Sequence, residues 1–216
     1  MEKALTGKYP EINIFDKVQV ILASGSPRRR ELLSRLLPAD NFHIIVSEVD
    51  EALHQDEDYL DYVKRLALSK AIAGGKLWFE KNEEAGRDIL VIGADTIVVL
   101  DNVVFGKPRD AAQAGNFLES LSGRTHLVIT GFAVITMNRQ KGIERQEVSH
   151  TVSEVEFRNI SAAEINWYVA TGEPADKAGA YAIQGYGGAL IAAVRGDYYN
   201  VVGLPLGPLI EQLRKF

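Results

Sequence analysis

The chain has 216 residues, of which 46% are hydrophobic and 25% are charged, a balance typical of a folded globular protein. Its formal net charge of −5 gives no general attraction to nucleic acid or to an acidic membrane, so a bound polyanion needs a local basic cluster. The sequence contains no cysteine, which excludes disulfides, thiolate metal sites and a cysteine nucleophile.

The N-terminal stretch, residues 1–16, is polar and is predicted to lie as an extended arm outside a single domain spanning 17–216. Charged residues precede any apolar run, which predicts that there is no signal peptide. No apolar run approaches the length of a membrane span. We therefore expect a cytoplasmic protein that binds neither membranes nor nucleic acid.

Residues 18–33 are predicted to form a buried strand (18–23), a turn of small residues and a helix opening on three arginines, Arg28 to Arg30. Backbone N–H groups at such a helix start, with the positive end of its dipole, favour an anion. Guanidinium groups match phosphate oxygens in pairs. Taken alone, the stretch is better explained as an ordinary strand–helix turn with solvated arginines, and it is the rest of the chain that favours the anion site.

Strands and helices then alternate up to residue 121. The predicted elements are a strand at 42–46, a long helix at 56–80 that Gly74 and Gly75 kink or loosen, a strand at 89–92 that ends at Gly93, a hairpin of 97–100 with 103–105, and a helix from Asp110 to 121. This alternation is typical of an α/β sheet with helices packed on it.

The remaining elements are a long antiparallel pair (126–137 and 143–157), a helix opened by a capping box at Ser161 and Glu164, a glycine-rich loop (176–188), a strand (189–195) and a final helix (206–214). Together the elements predict one α/β domain with two lobes. Ligands of such folds bind in a cleft at the carboxyl ends of the strands, where we expect the site.

Several familiar active-site signatures are missing. The sequence has no Walker A loop, no G-x-G-x-x-G after a strand, no H-E-x-x-H and no G-x-S-x-G elbow. Its four histidines are scattered without metal-ligand spacing. Histidine catalysis and a zinc site are therefore not expected.

The remaining candidates are charged residues beside strand ends and glycines. Asp95 follows an apolar strand and is a candidate metal ligand or general base, although a turn or capping aspartate fits the local pattern equally well. Lys107 lies between glycine and proline. It is interpreted either as a lysine that binds phosphate or as an ordinary loop lysine. The acidic cluster of Glu48, Asp50 and Glu51 suits Mg²⁺ or Mn²⁺, but a solvated acidic loop fits Glu48 and Asp50 better.

Two further positions stand out less. Lys70 lies in the long helix on no strongly apolar face, so taken alone it is predicted to be a surface lysine. Gln184 is the one amide among the small residues of 178–188. This composition predicts that the backbone approaches a flat ligand closely and that the amide of Gln184 bonds the edge of a base. A tight glycine turn before the last strand is the alternative.

Eight segments together resemble the Maf family of nucleoside triphosphate pyrophosphatases, in the family's order and from residue 18 onwards. They are L-A-S-G-S-P-R-R-R-E-L-L (22–33), the acidic turn ending at Glu51, L-A-L-S-K-A (66–71), G-A-D-T (93–96), G-K-P-R-D (106–110), L-S-G-R-T-H (121–126), E-P-A-D-K-A-G-A-Y-A-I-Q-G (173–185) and G-D-Y-Y-N-V-V-G-L-P-L (196–206). The aspartate-threonine pair at 95–96 resembles the dTTP/UTP subgroup.

The resemblance implies a two-lobed mixed sheet flanked by helices around a central cleft, similar to the inosine triphosphate pyrophosphatase fold, in a protein that is often a homodimer. It also implies hydrolysis of a nucleoside triphosphate to the monophosphate and pyrophosphate with a divalent cation, Mg²⁺ or Mn²⁺. By matching position, Asp95 is the proton acceptor, and Glu51 lies near the metal or the attacking water. Metal ligation falls to the same two carboxylates.

The resemblance assigns the triphosphate to five residues: Ser24, Arg28, Arg29, Lys70 and Lys107. It assigns base specificity to Arg28, Thr96 and Gln184. A nucleotide-binding regulator of cell division that uses the same pocket without turnover is the competing hypothesis. The combination of Asp95 and Glu51 with the basic residues argues against it, since a protein that only binds has no need of the two carboxylates.

Overall fold

The computed structural model describes residues 8–10, 12–82 and 88–216, and residues 1–7, 11 and 83–87 of the chain lie outside them. The strands are β1 Gln19–Ala23, β2 Phe42–Ile44, β3 Ile89–Leu100, β4 Val103–Phe105, β5 Thr125–Asn138, β6 Gly142–Phe157 and β7 Ile191–Arg195. The helices are α1 Pro27–Leu33, α2 Tyr59–Lys81, α3 Ala111–Leu121, α4 Ala162–Ala170, α5 Tyr198–Val202 and α6 Leu206–Leu213.

The seven strands form one mixed sheet. They hydrogen-bond in the order β2-β1-β3-β5-β6-β7, and β4 pairs with β3. β1 runs parallel to both β2 and β3, while the β3–β4 and β6–β7 pairs are antiparallel. The predicted α/β class, a mixed sheet flanked by helices, is confirmed.

Internal contacts divide the chain into two compact units. The first contains the described residues through Asp95 together with 131–150 and 203–216, and the second contains 96–130 and 151–202. A core around Ile21, Val91 and Ala133 lies in the first unit. The core of the second unit includes Leu118 and Phe157.

In the first unit, helix α2 packs very closely on the parallel strands. A Cβ at Gly74 would lie 2.7 Å from the Cβ of Ala23, and one at Gly75 would lie 2.3 Å from the sulfur of Met137. Because glycine has no Cβ, the helix backbone can approach the strands at both positions. The helix continues without interruption to Lys81, and the predicted kink or loosening at the glycine pair stays a prediction. What the structure shows at the pair is close packing.

Gly93 makes the matching approach from the strand side. A Cβ there would lie 2.3 Å from the Ala67 carbonyl oxygen and 2.7 Å from the Ala71 nitrogen, both in α2. The predicted strand end at this glycine is wrong, because β3 continues to Leu100. Side chains two residues apart lie on the same face of a strand, so Asp95 projects from the face that Gly93 presents to α2. Lys70 directly precedes Ala71 on that helix.

Substitution of Gly93 by alanine is expected to destabilise the protein by about 3 kcal/mol, because the backbone of α2 must move to admit the methyl group. Urea denaturation of the variant measures the loss. Gly207→Ala is the control: a Cβ at Gly207, in α6, meets nothing within 4 Å, and alanine there is expected to be neutral or stabilising. Equal stability of Gly93→Ala and the wild type would contradict the close packing.

Short-range signals in the sequence are confirmed. Asp101 and Asn102 both have positive φ (51° and 63°), as the predicted two-residue hairpin turn between β3 and β4 requires. Ser161 and Glu164 form the capping box of α4, and Gly172 after it is left-handed. β5 and β6 are neighbours joined by three residues, a connection that only antiparallel strands allow.

His126 is buried in the core of the second unit. It is 1% exposed, its Nε2 lies 2.8 Å from the Tyr181 hydroxyl, and its Nδ1 has no hydrogen-bond partner among the described residues. Burial lowers the pKa of the ring to about 4. The imidazole is therefore a neutral core group.

Acid is expected to destabilise the protein through His126. As pH falls from about 6.5 to about 4, the unfolded chain binds a proton on this ring that the folded chain does not, so the free energy of unfolding decreases by up to about 3 kcal/mol. Urea denaturation at several pH values measures the slope. His126→Phe should be less stable at neutral pH and lose most of the slope, whereas substitution of the exposed His54 by glutamine should keep it. An unchanged slope in His126→Phe would assign the acid sensitivity to other groups.

The N-terminal stretch is described only in part. Asn13–Asp16 forms a short 3-10 helix with Ile14 and Phe15 buried, so the predicted extended arm is wrong for these residues. Residues 1–7 and 11 of the predicted arm lie outside the described residues. The boundary between residues 16 and 17 stays a prediction. Among the described residues, no helix is both long and apolar enough to cross a bilayer.

Candidate functional site

The turn between β1 and α1 is held by side chains of its own residues. Ser26 caps α1 by accepting from the Arg29 backbone N–H, and Pro27 occupies the first helical turn, as the sequence predicts. The Ser24 hydroxyl accepts from the Ser26 N–H at 3.2 Å and from Arg29 Nη1 at 3.3 Å. Arg29 Nε donates to the Gly203 carbonyl at 2.8 Å. The Arg29 guanidinium therefore ties this turn to the segment before α6.

Lys70, Asp95 and Glu51 meet around one ammonium group. Lys70 Nζ lies 2.5 Å from Asp95 Oδ1 and 2.7 Å from Glu51 Oε1. The side chains of Lys70 and Asp95 are 15% and 13% exposed, and that of Glu51 is 50% exposed. The expectation that Lys70 is a surface lysine is wrong, because the close approach of α2 to β3 brings it to Asp95. The structure thus unites three of the residues that the resemblance singles out.

Charges of the basic turn act on the same cluster. Burial lowers the pKa of the Arg29 guanidinium, an effect that the negative charges of Asp95 and Glu51 oppose and the positive charge of Arg28 reinforces. Of these groups with Lys70, three are cations and two are carboxylates. Such a surplus of positive charge suits a polyanion, in a chain whose net charge is negative.

A second set of contacts holds the loop that carries Glu51. Arg65 of α2 binds both carboxylate oxygens of Glu57, at 2.6 and 2.7 Å, and donates to the Ala52 carbonyl at 2.9 Å. The Tyr62 hydroxyl donates to the Glu51 carbonyl at 2.8 Å. The hydrogen bonds from Arg65 lower the pKa of Glu57 to about 2. The hydrogen bonds from Tyr62 and Arg65 thus hold the carbonyl groups of both Glu51 and Ala52 in place.

The carboxylates of Asp95 and Glu51 suit a divalent cation that takes its other ligands from substrate phosphates and water. In the described part of the chain, no three Asp, Glu, His or Cys side chains converge as a preformed metal site. Mg²⁺ commonly takes only one or two carboxylates, with substrate phosphates and water as its other ligands. Asp95 and Glu51 supply two such carboxylates that already share a cation partner. The donor set therefore suits a metal that arrives with a phosphate ligand.

Thr96, which follows Asp95 on β3, begins the second unit. Its hydroxyl lies 2.9 Å from that of Thr130 on β5. Thr130 in turn hydrogen-bonds Asn200, which is 0% exposed. A buried polar network therefore supports the residue to which the resemblance assigns base specificity.

Lys107 and Gln184 lie on loops of the second unit that other residues hold in place. Lys107 is exposed, and the carbonyl of Gly106 before it accepts from the Gly179 N–H at 3.1 Å. Gln184 is half-buried and precedes Gly185, whose φ of +102° strongly favours glycine. Both predicted residues therefore lie on loops whose backbones are constrained.

Glu173 anchors the Gln184 loop and was not singled out by sequence reasoning. It accepts from the backbone N–H groups of Tyr186 and Gly187, at 3.0 and 2.9 Å, and from the Tyr168 hydroxyl at 2.8 Å. Arg65 and Asn200 were likewise not identified. Each acts through a neighbour in space that is distant in sequence, and no spacing rule of helices or strands relates such pairs.

Known proteins resemble this chain over nearly its whole length. The family model described as Maf-like protein matches residues 19–216. A dTTP/UTP pyrophosphatase of Clostridium beijerinckii is 47% identical over 199 residues, covering 92% of this chain and 99% of that protein. One from Symbiobacterium thermophilum is 48% identical over 200 residues, covering 92% and 94% of the two chains. One from Salmonella typhimurium is 47% identical over 195 residues, covering 90% and 91%. The chain belongs to the Maf family.

Proposed function

We propose that this protein hydrolyses dTTP and UTP to the nucleoside monophosphate and pyrophosphate. The observation that carries the proposal is the cluster in which Lys70 joins Asp95 and Glu51 next to the basic turn of Arg28 and Arg29. Such a cluster combines carboxylates for a water and a metal with cations for phosphates. The relatives named as dTTP/UTP pyrophosphatases support the choice of substrate.

In the proposed reaction, Asp95 orients or deprotonates a water that attacks the α-phosphorus. The bond from that phosphorus to the bridging oxygen breaks, and pyrophosphate leaves with the electron pair. Lys70 donates to Asp95 Oδ1. In the proposed reaction, the other carboxylate oxygen of Asp95 binds the water. Phosphoryl transfer depends mainly on positioning and on stabilisation of charge, and both are properties of this cluster.

The phosphates are assigned to Ser24, Arg28, Arg29, Lys70 and Lys107, and the base to Arg28, Thr96 and Gln184. A divalent cation, Mg²⁺ or Mn²⁺, would be held by Asp95 and Glu51 and would neutralise charge on the phosphate oxygens. Tyr62, which donates to the Glu51 carbonyl, and Arg65, which donates to the Ala52 carbonyl, keep the Glu51 backbone in place for this role. A homodimer, a cytoplasmic location and a two-lobed fold around a central cleft are further parts of the proposal.

Release of pyrophosphate from a nucleotide panel tests the proposal. The panel contains dTTP, UTP, CTP, 5-methyl-CTP, GTP, 7-methyl-GTP and ITP, each with Mg²⁺ and then with Mn²⁺. Strong release from dTTP and UTP supports both the reaction and the substrate. A preference for 7-methyl-GTP or ITP would keep the reaction and overturn the assignment of Thr96 and Gln184.

Binding without turnover would contradict the enzyme. Thermal stabilisation by dTTP or UTP, with no pyrophosphate released under either metal, would favour the nucleotide-binding regulator. The same samples should therefore be assayed for both binding and release.

A further inference from the structure

Thr96 lies at one end of a buried chain of hydrogen bonds in the second unit. Thr130 and Asn200, the next members of the chain, are each 0% exposed. The Thr130 N–H donates to Asn200 Oδ1 at 3.1 Å, and Asn200 Nδ2 donates to the Val128 carbonyl at 2.9 Å. A backbone N–H can only donate and a carbonyl can only accept, so these bonds determine which end of the Asn200 amide is oxygen.

The direction of the next two bonds follows in the same way. The Thr130 hydroxyl lies 3.0 Å from the Asn200 backbone carbonyl, which can only accept. Thr130 has one hydroxyl proton and donates it there. In the contact of 2.9 Å between the Thr130 and Thr96 hydroxyls, Thr96 is therefore the donor. Once its single proton points to Thr130, every further hydrogen bond of the Thr96 oxygen must be accepted.

We propose that Thr130 and Asn200 are positioning residues that make the Thr96 hydroxyl an acceptor toward the nucleotide base, and so select pyrimidines that carry an N–H at N3. This inference rests on the proposed function, in which Thr96 contacts the base. Uracil and thymine joined to the sugar through N1 have a single base N–H, at N3. Cytosine has a lone pair at N3 instead. An acceptor that faces N3 therefore favours UTP and dTTP over CTP.

Burial makes this preference strict. A hydroxyl that can rotate serves as donor or acceptor and discriminates little between the two bases. A hydroxyl whose proton is already committed leaves an acceptor facing a lone pair when cytosine binds, and that mismatch costs binding. A threonine hydroxyl can normally act as donor or acceptor, but the network restricts that of Thr96 to accepting a hydrogen bond from the base.

The test is the ratio of kcat/KM for UTP to that for CTP in Thr130→Val. Valine matches the shape of threonine but removes the hydroxyl, so the Thr96 proton loses its acceptor and can turn toward N3 of cytosine. We expect the ratio to fall about tenfold. Thr130→Ser keeps the hydroxyl and should retain the wild-type ratio. Adding Thr130→Val to Thr96→Val should change the ratio no further, because Thr130 acts through Thr96.

Two results would overturn the inference. One is a wild-type ratio in a folded Thr130→Val, and the other is a loss of activity by the same factor with UTP and CTP, as expected of a purely structural residue. The corresponding ratio of dissociation constants, from calorimetry, tests the inference even if the wild type proves to bind without turnover. The wild type also provides a test without substitution, since N3-methyl-UTP should bind at least about tenfold more weakly than UTP. Equal binding of the two would refute an acceptor at N3.

Discussion

Substitution of Asp95 by asparagine is expected to lower kcat for UTP by about a thousandfold. Asparagine has the shape of aspartate and keeps an oxygen that accepts from Lys70, but it has no basicity toward water. A positioned general base contributes about 10²- to 10⁴-fold to a rate. The loss should therefore appear in kcat, while KM changes less. Steady-state pyrophosphate release by the purified variant measures both constants.

Asp61→Asn is the matched control for this substitution. Asp61 lies on α2 and pairs with Lys64 at 2.7 Å, but its side chain is 70% exposed. An exposed pair of this kind contributes little, so the control should keep wild-type kinetics and thermal stability. Near-normal kcat in Asp95→Asn would show that Asp95 is not the base. A raised KM with unchanged kcat would limit Asp95 to binding.

The local signals in the sequence are those that the structure confirms. The capping box at Ser161, the Asp101-Asn102 turn and the Pro27 helix start depend only on residues within a few positions of one another. Their hydrogen bonds and backbone angles follow from local chemistry. Such elements can be read from the sequence without knowledge of the fold.

Lys70 shows why the site could not be predicted in the same way. Lys70 lies on no strongly apolar face of the helix, so the helical pattern does not indicate that its side chain is buried. Its environment depends on the distance between α2 and β3. Gly93, Gly74 and Gly75 allow the close packing that determines this distance. Their role becomes visible only in the folded structure, where the helix and the strands pack against each other. The resemblance to a family identified Lys70, whereas the helical pattern around it did not. The local pattern predicts a strand end at Gly93, where the glycine instead marks close packing.

Residues that hold the candidate site are harder still to find. Arg65 and Glu57 support Glu51, and Asn200 supports Thr130, across chain separations that no periodicity connects. A surface arginine with a nearby glutamate is common in any sequence. Two further contacts tie this pair to the candidate site: Arg65 donates to the Ala52 carbonyl, and it lies over the ring of Tyr62, whose hydroxyl bonds the Glu51 carbonyl. The role of Arg65 in the candidate site therefore follows from these further contacts and not from its ion pair with Glu57.

Replacement of Lys70 by methionine is expected to lower kcat/KM about a hundredfold or more, since it removes a cation from the phosphates and from Asp95. Methionine keeps the length of the side chain, so the change is mainly one of charge. Without the ammonium, Asp95 and Glu51 lose the cation that both of them contact. Unfolding should become easier by about 2 kcal/mol, less than for a fully buried pair because Glu51 is half exposed.

A divalent cation should reverse part of that destabilisation. Two carboxylates that no longer share an ammonium bind Mg²⁺ more tightly than two that do, and a ligand that binds only the folded state raises its stability. Melting temperatures with and without Mg²⁺ therefore measure the effect without any assay of turnover, and the increase should be larger in Lys70→Met than in the wild type. Lys64→Met, on the same helix, removes a lysine paired with the exposed Asp61 and should show the wild-type increase. If both variants respond to Mg²⁺ equally, Lys70 does not hold the metal-binding carboxylates. If Lys70→Arg then restores activity but Lys70→Met does not, its contribution is charge at the phosphates alone.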